Sequence, residues 1–195
     1  MCISDRGDSQ VLSFMGSGLG RASVPTPYGE ILINNILFTE VMNGGALVGP
    51  GTYTEVIDFQ GKQLEVIATG GPLFTVLDGG GSNTTVVRAS SGEPAGTSIS
   101  GFTLTNGAGV PFPSTWGFDY YGGGAHVSES AELSMTDCVI TNNSWGTGTF
   151  AGGVYCGGEG SHVDLVRCVI SNNRAWASGG GTLVDWHGTM SFDHC

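Results

Sequence analysis

Three residues near the end of the chain have side chains that could carry out acid–base chemistry. His162 and Asp164 lie two positions apart in an alternating segment, and Arg167 follows three residues later. An imidazole, a carboxylate and a guanidinium are groups that proton transfer on a sugar would use. The alternative is that these charges only complement those of neighbouring strands, for instance Asp137 beside Arg167. The catalytic candidates are therefore His162, Asp164 and Arg167, with charge pairing as the competing interpretation.

Aromatic residues are concentrated in connections of unequal length that follow a recurring asparagine. Flat aromatic faces suit sugar rings and are enriched at interfaces. Insertions on one face of a repeat protein often form its binding face. The competing interpretation is that these rings only shield the edge of the core. The predicted ligand-binding residues are Trp116, Tyr120, Tyr121, Trp145, Phe150 and Trp176.

An internal repeat must position these side chains. Alternating apolar residues lead to a Phe or Cys, then to an aliphatic residue and an asparagine. The last two steps between the central residues are 30 and 27 residues, a period that indicates stacked units. The two-residue alternation makes these units strands, so the central residues should form one internal file. That file is Phe102, Cys138, Cys168 and Cys195.

Each unit contains two further recurrent features. Glycine runs precede a second strand, because glycine lets the backbone turn a corner at positive φ. The asparagines are predicted to stack at the turns and to bond turn amides and one another. These asparagines are Asn106, Asn142 and Asn172.

The predicted organisation has three parts. Residues 1–23 have the composition of a disordered lead-in, and residues 24–45 form an N-terminal cap. A rough helical stripe, including Ile31, Leu32 and Ile36, predicts that the cap contains a short helix. Residues 46–195 form β-coils and end inside a repeat, so we expect the C-terminal end to be truncated and the chain to be part of a larger protein. The fold class is all-β, a parallel solenoid.

Composition excludes several classes of protein. Glycine contributes 35 of 195 residues without a three-residue period, so the chain is not collagen-like. The net charge of −11, with six scattered basic residues, argues against nucleic-acid binding. No apolar stretch approaches the roughly 20 residues of a membrane span. No signal peptide is visible at the N-terminus.

The cysteines have no metal-type spacing, and we expect packing in a core, with disulfides between coils as the second interpretation. We expect no metal site and no cofactor. Asp78 is the candidate ligand for calcium. The competing interpretation is that Asp78 forms a turn, as an Asp before glycine ordinarily does.

Over about residues 24–195 the chain resembles right-handed parallel β-helix proteins of the pectin-lyase-like superfamily. The resemblance rests on the segments GPGTYTEVIDFQGKQLEVIA, DGGG, ISGFTLTNG and GGGAHV. The segments CVITNN and CVISNN are also similar to the repeats of polymorphic outer-membrane proteins. The resemblance implies a right-handed coil and a carbohydrate-active enzyme, tailspike, adhesin or surface protein. The chain has no Asp-Asp pair and no R-x-K, which polygalacturonases of the superfamily use.

The expected function is an extracellular or cell-surface scaffold that binds polysaccharide or another surface through its aromatic-rich edge. One alternative is a polysaccharide lyase or glycoside hydrolase, pectate-lyase-like or polygalacturonase-like, acting through the catalytic candidates. Another alternative is a non-binding spacer repeat of a large adhesin. The expected partner is a polysaccharide or a cell-surface glycan.

Overall fold

The structure is a computed structural model, and it describes 23 strands. For residues before Gly45 it describes the backbone of five strands. From Gly45 onward it describes the whole chain except residues 82, 83, 116 and 145–147. No helix occurs in these described parts.

The strands before Gly45 pair in antiparallel ribbons. They are β1 (Ile3–Arg6) with β2 (Ser9–Leu12), β3 (Arg21–Thr26) with β4 (Gly29–Asn34), and β5 (Phe38–Met42) with β6 (Gly45–Val48). The capping helix predicted within residues 24–45 is not found, since the described residues of that range are strands. The segment GEILIN of β4 carries two β-branched isoleucines, which favour extended backbone over the rough helical stripe. The predicted domain limits stay a prediction.

The remaining strands form three parallel sheets and one hairpin. Sheet 1 contains β6, β9 (Glu65–Ala68), β12 (Ser98–Ser100), β17 (Glu132–Thr136), β20 (His162–Val166) and β23 (Thr189–Asp193), with β5 at its edge. Sheet 2 contains β7 (Gly51–Tyr53), β10 (Thr75–Asp78), β13 (Thr103–Thr105), β18 (Val139–Thr141) and β21 (Val169–Ser171). Sheet 3 contains β8 (Ile57–Asp58), β11 (Val87–Ala89), β16 (Ala125–Val127), β19 (Val154–Gly157) and β22 (Thr182–Asp185). The hairpin is β14 (Val110–Ser114) with β15 (Gly117–Tyr121).

The chain visits the sheets in the order 1, 2, 3 and then repeats. Each strand of a sheet pairs in parallel with its counterpart one coil away, as β17 does with β20. The described strands from Gly45 onward therefore form a parallel β-solenoid-like stack, which agrees with the predicted all-β solenoid. The hairpin is an insertion between sheet 2 and sheet 3 of one coil.

The predicted internal file is present. Phe102, Cys138 and Cys168 are at most 2% exposed, and they stack at the bend between sheet 1 and sheet 2. The backbone N–H of Val139 donates to the Phe102 carbonyl at 2.9 Å, and that of Val169 to the Cys138 carbonyl at 2.9 Å. Cys195 continues the file on the last coil, where its Sγ accepts from the Cys168 backbone N–H at 3.4 Å, but it is exposed.

The four cysteines of the described part are free thiols, so no disulfide joins these coils. Cys138, Cys156 and Cys168 are buried, which fits the expected role of small apolar core residues. The neighbouring thiol of Cys168 and the burial of the site raise the pKa of Cys138 well above its usual value. The thiols of Cys138 and Cys168 donate to backbone carbonyls, those of Thr136 and Met135, each at 3.3 Å.

The predicted asparagine ladder exists, but it is shifted by one residue. Asn143 donates from Nδ2 to the Leu104 carbonyl and to Asn173 Oδ1, both at 3.0 Å, and its Oδ1 accepts from the Gly107 N–H at 3.0 Å. Asn173 repeats the pattern by donating to the Ile140 carbonyl at 2.8 Å. These bonds are thus made by Asn143 and Asn173, which directly follow the predicted Asn142 and Asn172.

The shift follows from the backbone at the turn. Asn106, Asn142 and Asn172 adopt left-handed φ values of 57°, 55° and 54°, a conformation that asparagine tolerates better than most residues. A left-handed residue ends the strand alternation, so the next side chain is the one that turns inward. Asn106 instead donates to the carboxylate of Asp78, at 3.0 Å to each oxygen.

Candidate functional site

The hairpin and sheet 3 enclose a cleft of about 470 Å³. One wall is the hairpin, where Val110 pairs with Tyr121 and Ser114 with Gly117. Prolines at positions 111 and 113 cannot donate to a sheet ladder, which suits a two-stranded ribbon with an open edge. The other wall is formed by the outer end of sheet 3 and by the turns that lead back to sheet 1.

Aromatic rings pack together between the hairpin and sheet 3. The rings of Phe112, His126 and Tyr155 are stacked, with centroids 5.7 and 4.9 Å apart and interplanar angles of 26° and 27°. Tyr121 meets Phe112 edge-on at 5.5 Å and lies 4.9 Å from Tyr155. Phe150 stacks on Tyr121, with the two ring centroids 5.3 Å apart. These contacts fix the hairpin against the sheet, and Phe112, Tyr121 and Tyr155 also line the cleft.

His126 lies between Phe112 and Tyr155 and is 1% exposed. Its Nδ1 is 3.2 Å from the Tyr121 carbonyl, and its Nε2 is 3.2 Å from Ser128 Oγ. Burial, with a smaller contribution from Arg88, lowers the pKa of His126 to about 4, so the ring is neutral at pH 7. A carbonyl oxygen only accepts, so Nδ1 carries the hydrogen and Nε2 accepts from the Ser128 hydroxyl. Ser128 thereby reaches the cleft with its hydroxyl oriented by the imidazole.

Tyr155 forms the inner side of the cleft. Burial, followed by the charge of Asp185, raises the pKa of its phenol to about 12, so the group stays a hydrogen-bond donor. The ring lies across Gly157, where an added Cβ would be 2.1 Å from the phenol oxygen. Any larger residue at Gly157 would therefore require the Tyr155 ring to move.

The turns at the rim have unusual backbone geometry. Glu129 and Ser130 both adopt left-handed conformations, with φ values of 58° and 59°. Trp186 does the same with φ 51°, although it is a bulky residue and 75% exposed. Such a conformation costs about 1–2 kcal/mol for a residue other than glycine. An exposed indole held at this cost beside a cleft is a feature that core packing does not explain.

The cleft is acidic. Asp119 lines it from the hairpin, and Glu129 and Glu159 line it from the turns of two successive coils. The pKa of Tyr121 is raised by burial and then by Asp119 and Asp185, which shows that these carboxylates act on the cleft. Among the described residues that line it, none is Lys or Arg.

The aromatic residues predicted from the sequence have different positions. Tyr121 lines the cleft, and Phe150 stacks on the ring of Tyr121. Tyr120 bridges to Thr149 of the next coil. Trp176 is 70% exposed, and its backbone N–H donates to the Thr149 carbonyl at 2.8 Å. Trp116 and Trp145 lie outside the described residues.

The catalytic candidates lie on the outer face of sheet 1. His162 Nε2 is 2.9 Å from Asp164 Oδ1, and His162 Nδ1 is 2.6 Å from Thr189 Oγ1. The hydroxyl of Ser191 also donates to Asp164 Oδ1. Ser191 and then His162 lower the pKa of Asp164, which is therefore a carboxylate at pH 7. The parallel register pairs His162 with Thr189 and Asp164 with Ser191, and the residues of this network do not line the cleft.

Arg167 is engaged by another partner. Its Nε and one terminal nitrogen donate to the two oxygens of Asp137, both at 2.7 Å, and both side chains are more than half exposed. The Arg167 guanidinium holds the pKa of Asp137 below its usual range. The expected charge pairing between neighbouring coils is thus present.

Sequence reasoning did not select several residues of the cleft. They are Asp119, His126, Ser128, Glu129, Tyr155, Glu159 and Trp186. A signal existed in the glycine-led strands, where His126 and Tyr155 occupy the same outward column of sheet 3. The sequence does not show that the hairpin folds onto this column, and it is the hairpin that partly encloses the column.

The described part of the chain brings no three His, Cys, Asp or Glu side chains into a group that could hold a metal ion. It also contains no helix of the length and apolarity needed to cross a membrane. Asp78 accepts from the Gly80 N–H at 2.8 Å, as a turn former does. Comparison with protein-family models, with curated proteins and with solved structures finds no match to this chain.

Proposed function

We propose that the chain is an extracellular or cell-surface β-helix scaffold that binds a polysaccharide in the cleft between the hairpin and sheet 3. The observation that carries the proposal is the cleft of about 470 Å³, lined by Phe112, Tyr121, Tyr155 and Trp186. Its size is within the roughly 300–1,000 Å³ typical of ligand sites. Its open rim, with a largely exposed tryptophan, suits a chain that passes through rather than a small molecule that is enclosed.

The chemistry of the lining fits a sugar. Aromatic faces accept the apolar C–H faces of pyranose rings, and the phenols of Tyr121 and Tyr155 stay protonated and can donate to hydroxyl oxygens. The carboxylates of Glu129 and Glu159 accept hydrogen bonds from hydroxyl groups. Such a mixture of flat apolar surface and a few fixed polar groups is typical of ligand sites.

The finer assignment of the fold belongs to the same proposal. Parallel strands linked by crossover connections are right-handed in about 98% of cases, which supports a right-handed coil. The pectin-lyase-like superfamily and the polymorphic outer-membrane protein repeats remain the resemblance that the repeat segments offer. Both point to a cell-surface or secreted location and to a glycan as partner.

The first test removes the exposed rings of the cleft. The double variant Phe112→Ala, Trp186→Ala should lose most retention on polysaccharide affinity gels, while its circular dichroism shows that the coil stack stays folded although Phe112→Ala removes the ring contacts to Tyr121 and His126. Phe74→Ala is the matched control, because Phe74 is 65% exposed and does not line the cleft. Trp176→Ala separates the cleft from the wider aromatic edge, and loss of retention in that variant alone would contradict the proposed site.

A second candidate function is glycoside cleavage in the same cleft. Glu129 and Glu159 line it from turns of two successive coils, and a pair of carboxylates is what most glycoside hydrolases use. Release of reducing ends from a polysaccharide panel, abolished by Glu129→Gln or Glu159→Gln and kept in the exposed control Glu65→Gln, would establish this candidate. Binding without release would leave the scaffold function.

A further inference from the structure

The charged side chains that line the cleft are all carboxylates. Asp119, Glu129 and Glu159 line it, and Asp185 acts electrostatically on its phenols. The nearest described cation on sheet 3 is Arg88, which pairs in register with His126 and donates to Ser90 Oγ at 2.6 Å. His126 adds no compensating charge, since burial keeps the imidazole neutral. The whole chain, at −11, adds repulsion for any anion.

The rings strengthen the preference for a cation. The faces of Trp, Tyr and Phe carry negative charge density and attract an ammonium group within about 6 Å of the ring centroid. Phe112, Tyr121, Tyr155 and Trp186 all line the same space as the carboxylates. An ammonium group in the cleft would therefore meet favourable charge from both the rings and the carboxylates.

A uronic acid would meet the opposite conditions. Its carboxylate would face at least three carboxylates and no lining Lys or Arg, and like charges in a partly enclosed site disfavour binding. The polyuronides that the pectin-lyase-like resemblance implies are thus poorly matched to this cleft. A sugar of the same shape that carries a protonated amine would use both the rings and the charge.

We infer that the cleft selects an oligosaccharide of 2-amino-2-deoxyhexose units with free, protonated amino groups, over both its N-acetylated form and polyuronides. The inference rests on the proposed function, because it names the ligand class of that same cleft. Selection arises because the rings hold the sugar faces and Asp119, Glu129 and Glu159 attract the ammonium groups.

The test is a calorimetric titration of the whole chain with three probes of equal length. They are a glucosamine oligomer, its fully N-acetylated counterpart, and a galacturonic acid oligomer. N-acetylation removes the charge and leaves the sugar ring, so we expect the free amine to bind about tenfold tighter than the N-acetylated probe. Added salt should reduce this difference, since it screens exposed charges. The galacturonic acid oligomer should bind weakest.

Variants connect the preference to the named carboxylates. Glu129→Gln with Glu159→Gln keeps the shape and hydrogen-bonding capacity of the rim while removing two charges. We expect this variant to reduce the preference for the glucosamine oligomer over the N-acetylated oligomer by about fivefold, because both probes keep a hydrogen-bond acceptor at each position and only the amine loses a charge partner. Glu65→Gln, an exposed carboxylate of sheet 1, is the matched control and should change neither affinity.

The outcomes separate the two proposals. Equal binding of the amine and N-acetylated probes, or tighter binding of the galacturonic acid oligomer, would overturn the charge selectivity and leave polysaccharide binding in place. If the folded protein binds none of the three probes and is not retained on any polysaccharide gel, the proposed function itself fails.

Discussion

The side chains inside the coil stack and those outside it follow the same register, but they differ in chemical type. Inside, Leu77, Leu104 and Ile140 occupy one column of sheet 2, and all are fully buried aliphatic residues. Outside, the equivalent column of sheet 3 changes residue type at each coil, and it reads Arg88, His126, Tyr155 and Leu183. Burial demands an apolar side chain at every level, whereas the outer surface can differ where a ligand or an insertion meets it. The difference teaches that the repeat builds the scaffold and that departures from it build the site.

The largest expected effect comes from breaking the buried column. Leu104→Ala should lower the free energy of unfolding by about 2–5 kcal/mol, because it leaves a cavity in a fully buried position. Ser98→Ala, at an outward position of sheet 1, should change it by less than about 0.5 kcal/mol. Urea unfolding of both variants checks the contrast, and equal values would mean that Leu104 is not internal.

The asparagine ladder gives the next effect. Asn143→Ala leaves the Gly107 N–H and the Leu104 carbonyl without their side-chain partner, and should cost about 2–4 kcal/mol of unfolding free energy. Asn172→Gly should cost less than about 1 kcal/mol, because Asn172 is exposed and glycine accepts the left-handed φ of that position. A larger loss for Asn172→Gly in the same urea experiment would restore the ladder position predicted from the sequence.

A smaller effect tests the packing beneath the cleft through pH. The pKa of His126 is about 4 in the folded protein, against about 6.5 in an unfolded chain, so between these values the unfolded state binds more protons. Stability is therefore complete above about pH 6.5 and falls as the pH approaches 4. The loss from this group should be about 2 kcal/mol between pH 7 and pH 5.

Urea unfolding at several pH values measures this slope. His126→Phe keeps an aromatic ring between Phe112 and Tyr155 and removes the titrating group, so its stability should change much less over the same range. An identical slope in the variant would show that His126 is solvated and that the hairpin does not cover it.

The smallest effect is expected at the ion pair between coils. Arg167→Met should leave the midpoint of thermal unfolding unchanged, because Arg167 and Asp137 are largely exposed and water screens their attraction. A clear drop in the midpoint by calorimetry, at low and high salt alike, would mean that the outer surface contributes to stability as the interior does.

The repeated parts of the molecule could be predicted from the sequence. The recurring motif was enough to place Phe102, Cys138 and Cys168 in one buried file, because each copy repeats the same strand alternation around its central residue. The charge pair of Asp137 with Arg167 followed from the same alignment. The ladder asparagines were missed by one residue, since a left-handed turn residue interrupts the alternation on which the prediction relied.

The non-repeated parts could not be predicted in the same way. The N-terminal strands have no counterpart in the repeat, so local pattern alone misled the assignment of a helix. The partners of His126 come from a hairpin whose position depends on tertiary packing, and no spacing in the chain reveals that Phe112 stacks on it. Trp186 was not selected because no motif in the sequence indicates that it lines the same cleft as Glu129 and Tyr155.

The most direct test replaces the hairpin, residues 110–121, by a short Gly-Ser linker and measures two properties of the same variant. These are the unfolding transition in urea and the calorimetric binding of the glucosamine oligomer. The account predicts that the coil stack still unfolds cooperatively, because the hairpin strands pair with each other rather than within the three sheets, and that binding is lost. Undiminished binding by the folded variant would contradict the claim that an insertion into a repeated scaffold forms the site.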